Sequence, residues 1–493
     1  MLVRLRPVVR ATRTPDGLHL RGWASSCTIT GGAGLWRVWQ RLAPQLTAGL
    51  TADALVVPEE TTPAVRAAVE VILEALREHD MLVTVPAEWD GPAPDVAEWL
   101  ESVAADPVDA WRRLRAVTVE ITGCGEPASA AARAVEAVGL AVRVSPRVEQ
   151  PTSLLLLTAD PFTLQAGCGA DVGYVLPPSS LSSNTEATAQ TDRLNATGTS
   201  PAVLAALIGS TAVHRLLCAV AGLEDPAAAE ARTPHPQVLI ARTTPLRATY
   251  HPLLTGPPPT DPWRALDALT DAELGLVEPP VFGELPQVPA KLATCGTALG
   301  IGTTADAARL DAALAAVKTD AVLGVDDLHA RGAALRLAAR HHPGEPVEPP
   351  DDPTARRWWK ALTERFAVPA ELRTTRLAPG VHRAEVHRGH HLLAWAVEAT
   401  AADAVAFAAL AATGHAQAGR TGTAHLTGAA PHRADAGQPS WVTREWLWPN
   451  DVRDREQEFQ DALTALPGVR VTPRPLDPEP HAAGLVAYAV DPR

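Results

Sequence analysis

Three groups of residues in the 493-residue chain have types and spacings that could do chemistry. Gly123-Cys124-Gly125 follows a Val-rich run and precedes an Ala-rich stretch. A Gly-x-Gly turn between a strand and a helix lets backbone amides approach a pyrophosphate. His214 and Cys218 stand one helical turn apart, a spacing that can hold a metal. His382, His387, His390 and His391 crowd around the turn signal Arg388-Gly389. Each group falls short. The Gly turn lacks its third glycine, Ser129 standing near that place, and Glu149 lies too far past the next strand to bind a ribose. His214 and Cys218 have no evident further ligands, so a packed helix is the better reading. The four histidines differ in strand parity and do not converge on one face. No H-E-x-x-H, G-x-S-x-G or acid-rich magnesium-binding pattern occurs.

Composition narrows the field further. Lys occurs only at Lys291, Lys318 and Lys360, never after Gly, which excludes a P-loop. The formal charge of −13 argues against general nucleic-acid binding, which needs a broad basic surface. Five cysteines, Cys27, Cys124, Cys168, Cys218 and Cys295, are widely spaced without C-x-x-C, as expected of reduced thiols in a cytoplasmic protein. No apolar run approaches the ~18 residues of a membrane span, so no membrane is expected. Met1–Thr14 is basic without a continuous apolar segment and does not read as a secretory signal.

The elements that must position these residues fall into three parts, punctuated by clusters among the 45 prolines. The expected domains are 1–85, 86–290 and 291–493. The fold class is α/β and α+β multidomain. The first part reads as three strands (Leu2–Ala11, Leu18–Trp23, Ser25–Thr30) followed by three helices. The second of these helices spans Thr51–Val57, and the third starts at Thr61-Thr62-Pro63 with Val65, Val69, Ile72, Leu73 and Leu76 on one face. That order resembles a winged helix-turn-helix. Residues 1–46 carry seven arginines against Asp16, a local +6 that could favour an acidic peptide. The third helix carries Glu70, Glu74, Glu78 and Asp80 against Arg66 and Arg77, which disfavours a DNA groove. The middle part reads as a degenerate Rossmann-like β-α-β unit around the Gly turn, then a polar loop Ser179–Ser200 and a long apolar helix Pro201–Ala221. The third part is an α+β module with a weak internal repeat of about 90 residues. In each copy a strand, a Thr cap and an Ala-rich helix follow one another, at Leu299–Val317 and again at Leu393–Ala412.

Three features together resemble a known family. They are the β-β-β-α-α-α start, the run Asp109-Ala110-Trp111-Arg112-Arg113-Leu114-Arg115 leading to Gly123-Cys124-Gly125, and Ala212–Leu223 followed by Leu239-Ile240-Ala241-Arg242. The chain resembles, over roughly residues 1–290, the E1-like (ThiF-type) partner proteins of YcaO cyclodehydratases in thiopeptide and other azole-containing peptide pathways. The resemblance implies that the N-terminal part is a RiPP recognition element, which captures the leader of a ribosomally made precursor peptide. The leader would add as a strand to Ser25, Ser26, Cys27, Thr28, Ile29 and Thr30, and pack on Val65, Val69 and Ile72 with Arg66 near an acidic leader. It also implies a partner YcaO enzyme that uses ATP and Mg to close Cys, Ser or Thr into azolines. No catalytic residue, cofactor or metal is expected in this chain itself. It would act as a homodimer or in a heteromeric complex, with residues 291–493 a YcaO-like or docking module. Two other functions stay open: an ATP-dependent adenylating or cyclising enzyme in its own right, and a winged-helix regulator.

Overall fold

The computed structural model describes residues 1–55, 62–87, 91–146, 154–180, 185–231, 233–259, 261–419 and 450–491. The chain forms two compact units. The first comprises Met1–Thr188, Asn195–Glu230 and Val238–Tyr250; the second comprises Ala189–Leu194, Ala231–Gln237 and His251–Arg493.

The first unit begins with β1 (Leu2–Leu5), β2 (Arg10–Thr14), β3 (Gly17–Arg21) and β4 (Ser26–Thr30). The single strand expected over Leu2–Ala11 is therefore two. Pro7 sits between them, and a proline removes a donor and fixes φ, which breaks a strand. β2, β3 and β4 form an antiparallel meander with β3 central and β4 at an edge. Gly17 is required at its first turn: a Cβ there would lie 2.0 Å from the Ile29 carbonyl oxygen. Helix α1 (Gly34–Ala48) follows, then a 3-10 turn Ala52–Leu55 where a helix Thr51–Val57 was expected. Helix α2 (Pro63–Glu78) starts with Pro at its first turn, as expected. Strand β5 (Leu82–Val85) is an addition; it pairs antiparallel with β1, Leu2 opposite Val85. Leu18, Leu20 and Ile29 of the sheet pack on Leu35, Trp39 and Leu46 of α1 and on Ile72, Leu73 and Leu76 of α2. Each such side chain stabilises the unit by about 1.5–3 kcal/mol.

Helices α3 (Pro94–Val103) and α4 (Pro107–Ala116) lead to β6 (Thr118–Thr122), α5 (Gly125–Val138) and β7 (Ala141–Ser145). β6 and β7 are parallel, as the β-α-β reading requires. The sheet then turns antiparallel through β8 (Leu154–Ala159), β9 (Phe162–Cys168) and β10 (Val172–Val175). The stretch read as a polar loop holds a short β11 (Ser179–Ser180) and α6 (Thr185–Asp192). After α7 (Ala202–Ala221), β12 (Gln237–Thr243) and β13 (Leu246–Pro252) complete the order β13-β12-β10-β9-β8-β6-β7. A doubly wound nucleotide-binding sheet is mostly parallel. Among the described pairings of this sheet, β6–β7 alone is parallel.

α7 corrects the expectation that no run approaches spanning length. By length and composition it could cross a membrane. Here its apolarity is used in packing: Leu204, Ile208, Ala212, Leu216 and Val220 sit in the core of the first unit. Its buried Arg215 donates to both oxygens of Asp225 (3.1 and 2.7 Å) and to the Val175 carbonyl (2.9 Å).

The second unit contains α8 (Pro262–Leu269), the hairpin β14 (Lys291–Cys295) and β15 (Ala298–Gly302), α9 (Ala305–Ala316), β16 (Val322–Gly324) and α10 (Asp327–Ala339). Next come β17 (Glu345–Val347), α11 (Pro353–Lys360), β18 (Glu371–Ala378), β19 (Val381–Arg388), β20 (His391–Glu398) and α12 (Ala401–Gln417). The last elements are α13 (Asn450–Thr464), β21 (Val471–Pro473), α14 (Pro478–Ala482) and β22 (Val486–Val490). Both members of the internal repeat are a hairpin, a Thr cap and an Ala-rich helix. Thr304 accepts from Ala307 N (3.3 Å) and Thr400 from Asp403 N (3.1 Å). A buried ion cluster ties α10, β20 and α13 together. Arg336 donates to Glu398 (3.0 and 3.1 Å) and to Glu456 (2.8 and 2.8 Å), with all three side chains out of solvent.

Candidate functional site

The Gly turn, His214 with Cys218, and the histidines of β19 take their places in regular elements of the fold. Gly125, at φ +73°, opens α5, and Ser129, in place of the third glycine, donates to the Gly125 carbonyl of its own helix (3.1 Å). Glu149 lies outside the described residues. His214 stacks edge-on against Trp99 at 5.8 Å, and burial lowers its proton affinity. Burial pushes the Cys218 thiol up to about 12. His382 meets the Ala399 carbonyl, while His387 meets Glu385 on the other face of β19. Among the described residues no group of three or more His, Cys, Asp or Glu could hold a metal ion.

The N-terminal sheet presents a different kind of site. β3 pairs with β2 and β4, and among the described strands nothing pairs with the far side of β4. Its outward N–H and C=O groups are therefore open to an added strand. Helix α2 packs beside β4. The hairpin turn before β4 is pinned to the end of that helix by Ser25 Oγ, which donates to the His79 carbonyl (2.9 Å). Cys27 and Ile29 face the helices, half-buried and buried; Ser26, Thr28 and Thr30 are exposed on the opposite face. Thr28 Oγ1 lies 2.9 Å from His19 Nδ1 across the hairpin.

The expected groove residues divide. Val65 is 41% exposed, Val69 is half-buried, and Ile72 is fully buried at 0%. Ile72 therefore belongs to the core of the unit. Arg66 shares a flank of α2 with Glu70, Leu73 and Arg77 at helical spacing. The opposite flank carries Ala64, Ala68, Val71, Ala75 and Glu78. Glu78 of that second flank stands near Cys27 of β4, and Ala68 and Ala75 pack with Cys27 in a core that also takes Leu73 of the first flank. The Cys27 thiol is raised by its burial and by the nearby Glu78 carboxylate. Val71, at 49% exposure, is the apolar side chain this flank leaves in water. Val65, Val69 and Ile72 run along the centre of the apolar stripe, and Ala64, Ala68, Val71 and Ala75 along its small-residue shoulder. The signal available was the run of alanines at i+3 and i+4 ending in Val71 and Glu78.

The local charge of +6 is also redistributed. Arg6 is 4% exposed and donates to Asp80 (3.0 and 3.1 Å) and to the carbonyls of Glu101 (2.9 Å) and Ala104 (2.7 Å). Arg4 bridges Glu101 at 3.2 Å. These two hold the fold. Arg10 and Arg21 are register partners on the outer face of the sheet, in line with Ser26, away from α2.

No protein-family model matches the sequence, and no curated protein matches it. Among solved structures the chain is similar to a heterocyclase in complex with substrate and cofactor. The TM-score is 0.51 at 13% identity, over 99% of this chain and 94% of that one. The heterocyclase TruD aligns over the same shares at 13% identity with a TM-score of 0.46. E. coli MccB, solved with AMPCPP and MccA, covers 51% of this chain and 97% of its own at 12% identity, TM-score 0.36. The first likeness supports a mixed α/β architecture running the length of the chain.

Proposed function

We propose that this chain captures the leader of a ribosomally made precursor peptide on β4 and presents it to a YcaO enzyme. That partner would use ATP and Mg to cyclodehydrate Cys, Ser or Thr to azolines, as in thiopeptide biosynthesis. The observation that carries the reading is the open edge of β4 beside the small-residue flank of α2. An extended peptide pairing with β4 gains backbone hydrogen bonds, and its alternate side chains enter the shallow space over Ala68, Val71 and Ala75. The likeness to a heterocyclase fold along the whole chain supports the setting. The largely antiparallel sheet and the engaged Ser129 give an adenylating activity of this chain's own no comparable support. Titrating a fluorescein-labelled leader with the full chain tests the proposal, with and without the YcaO protein. Saturable binding by the chain alone and azoline formation only with both proteins are expected. ATP-dependent azoline formation by this chain alone would overturn the division of labour.

A further inference from the structure

Trp23 is 67% exposed at the corner where the β4 edge begins. It is held there. Its turn is closed by Gly22 N donating to the Ser25 carbonyl (2.9 Å) and is pinned to α2 through Ser25 and His79 (2.9 Å). A Cβ on Gly22 would lie 3.3 Å from Met81 Cγ, so the turn rests on the chain just after the helix. The exposed indole offers an amphipathic aromatic face to a docked side chain. The same corner is negatively polarised. Glu78 precedes His79 and is exposed on the β4 side of the helix, where its field reaches Cys27. The last-turn carbonyls of α2 add the negative end of the helix dipole. The basic groups nearby point elsewhere or are engaged. Arg77 pairs with Glu74 at 3.5 Å on the far flank, and Arg21, opposite Ser26, lies on the outer face of the sheet. His79 has its carbonyl taken by Ser25.

We propose that Trp23, Glu78 and the C-terminal end of α2 form a subsite for a basic side chain of the docked peptide. The inference rests on strand addition to β4. A Lys or Arg passing Ser26 on the helix side places its cation over the Trp23 ring and beside the Glu78 carboxylate. Further inward-facing residues meet Ala75, Val71, Ala68 and Ala64, and are small and apolar. Outward-facing residues near Ser26 lie toward Arg21 and Arg10, and tolerate acids. The captured segment is thus two-faced rather than uniformly acidic.

The test uses the full chain and a scanning set of peptides about ten residues long, alternating Val and Thr, in which one inward position at a time is Lys, Gln or Glu. Binding is read by fluorescence polarisation. One position is expected to favour Lys over Glu by about tenfold. Glu78→Lys should invert that preference, and Trp23→Ala should flatten it while changing the Gln peptide by less than about twofold. If the peptides bind but no position discriminates Lys from Glu, or Glu78→Lys leaves the preference in place, the subsite is refuted while strand addition stands. If no peptide of the set binds the wild-type chain, strand addition falls and the subsite falls with it.

Discussion

Proline substitution along β4 tests the proposed peptide-binding edge separately from the folded sheet. Successive amides of a strand point in opposite directions. Of any two neighbouring β4 residues, one therefore donates toward β3 and the other toward the open edge. Cys27→Pro and Ile29→Pro share one parity, and Thr28→Pro has the other. In one parity class proline removes a bond of the β3–β4 ladder, at about 1–3 kcal/mol of stability for a group left unpaired. In the other class the ladder is intact and only a donor to the incoming strand is lost. A net backbone hydrogen bond is worth about 1 kcal/mol, or roughly fivefold in Kd, and the ring also obstructs close approach. Circular dichroism melts identify which class keeps its fold. Fluorescence polarisation with a labelled leader should then show that the well-folded class binds at least about fivefold more weakly. If the variants that melt like wild type all bind the leader with unchanged affinity, β4 is not the docking edge.

Other expectations follow from the same geometry. Val71→Glu puts a charge in the shallow flank beside β4 and should weaken leader binding by tenfold or more, about 1.4 kcal/mol, with melting unchanged. Isothermal titration checks it, and Arg66→Ala, on the far flank, should leave affinity within about twofold. Arg336→Ala strips the cation from two buried carboxylates and should cost about 3–5 kcal/mol; Arg336→Met with Glu398→Gln and Glu456→Gln should recover much of that in urea unfolding. Burial raises Glu398 to about 7, against the pull of Arg336. A raised carboxyl contributes stability that is full below its unfolded value near 4.5 and lost as pH rises through about 7. His329, lowered to about 4 by burial, acts oppositely below its ordinary 6.5. Glu398→Gln should flatten the decline between pH 5 and 8 that wild type shows in denaturant melts.

Local pattern revealed most of the elements and few of the partnerships. Strand alternation and the stripe Val65, Val69, Ile72, Leu76 were enough to place a small sheet against helices. The β-α-β unit followed from a Val-rich run, a Gly turn and an Ala-rich stretch. Strand β5 escaped notice because its partner β1 lies some eighty residues earlier, and a four-residue apolar run says nothing of so distant a pairing. The buried cluster was invisible for the same reason: Arg336 lies 62 residues from Glu398 and 120 from Glu456. Within the candidate site, periodicity identified the helix face but could not separate Ile72, sealed under the sheet, from Val71, left in water one residue away. Which shoulder of the stripe faces β4 is decided by a turn, Ser25 to His79, whose residues carry no apolar signal.

The guanidinium of Arg6 bears on how portable the unit proposed to capture a peptide is. Its acceptors include the carbonyls of Glu101 and Ala104, beyond the sheet and helices that form the docking edge. A cassette cut after residue 85 would carry the complete β4 edge yet leave a buried cation facing the place where those carbonyls had been. A graft meant to move the proposed docking edge into another protein should therefore extend through Ala104. The smallest transplantable piece is set by what anchors its first strand, not by what touches the peptide.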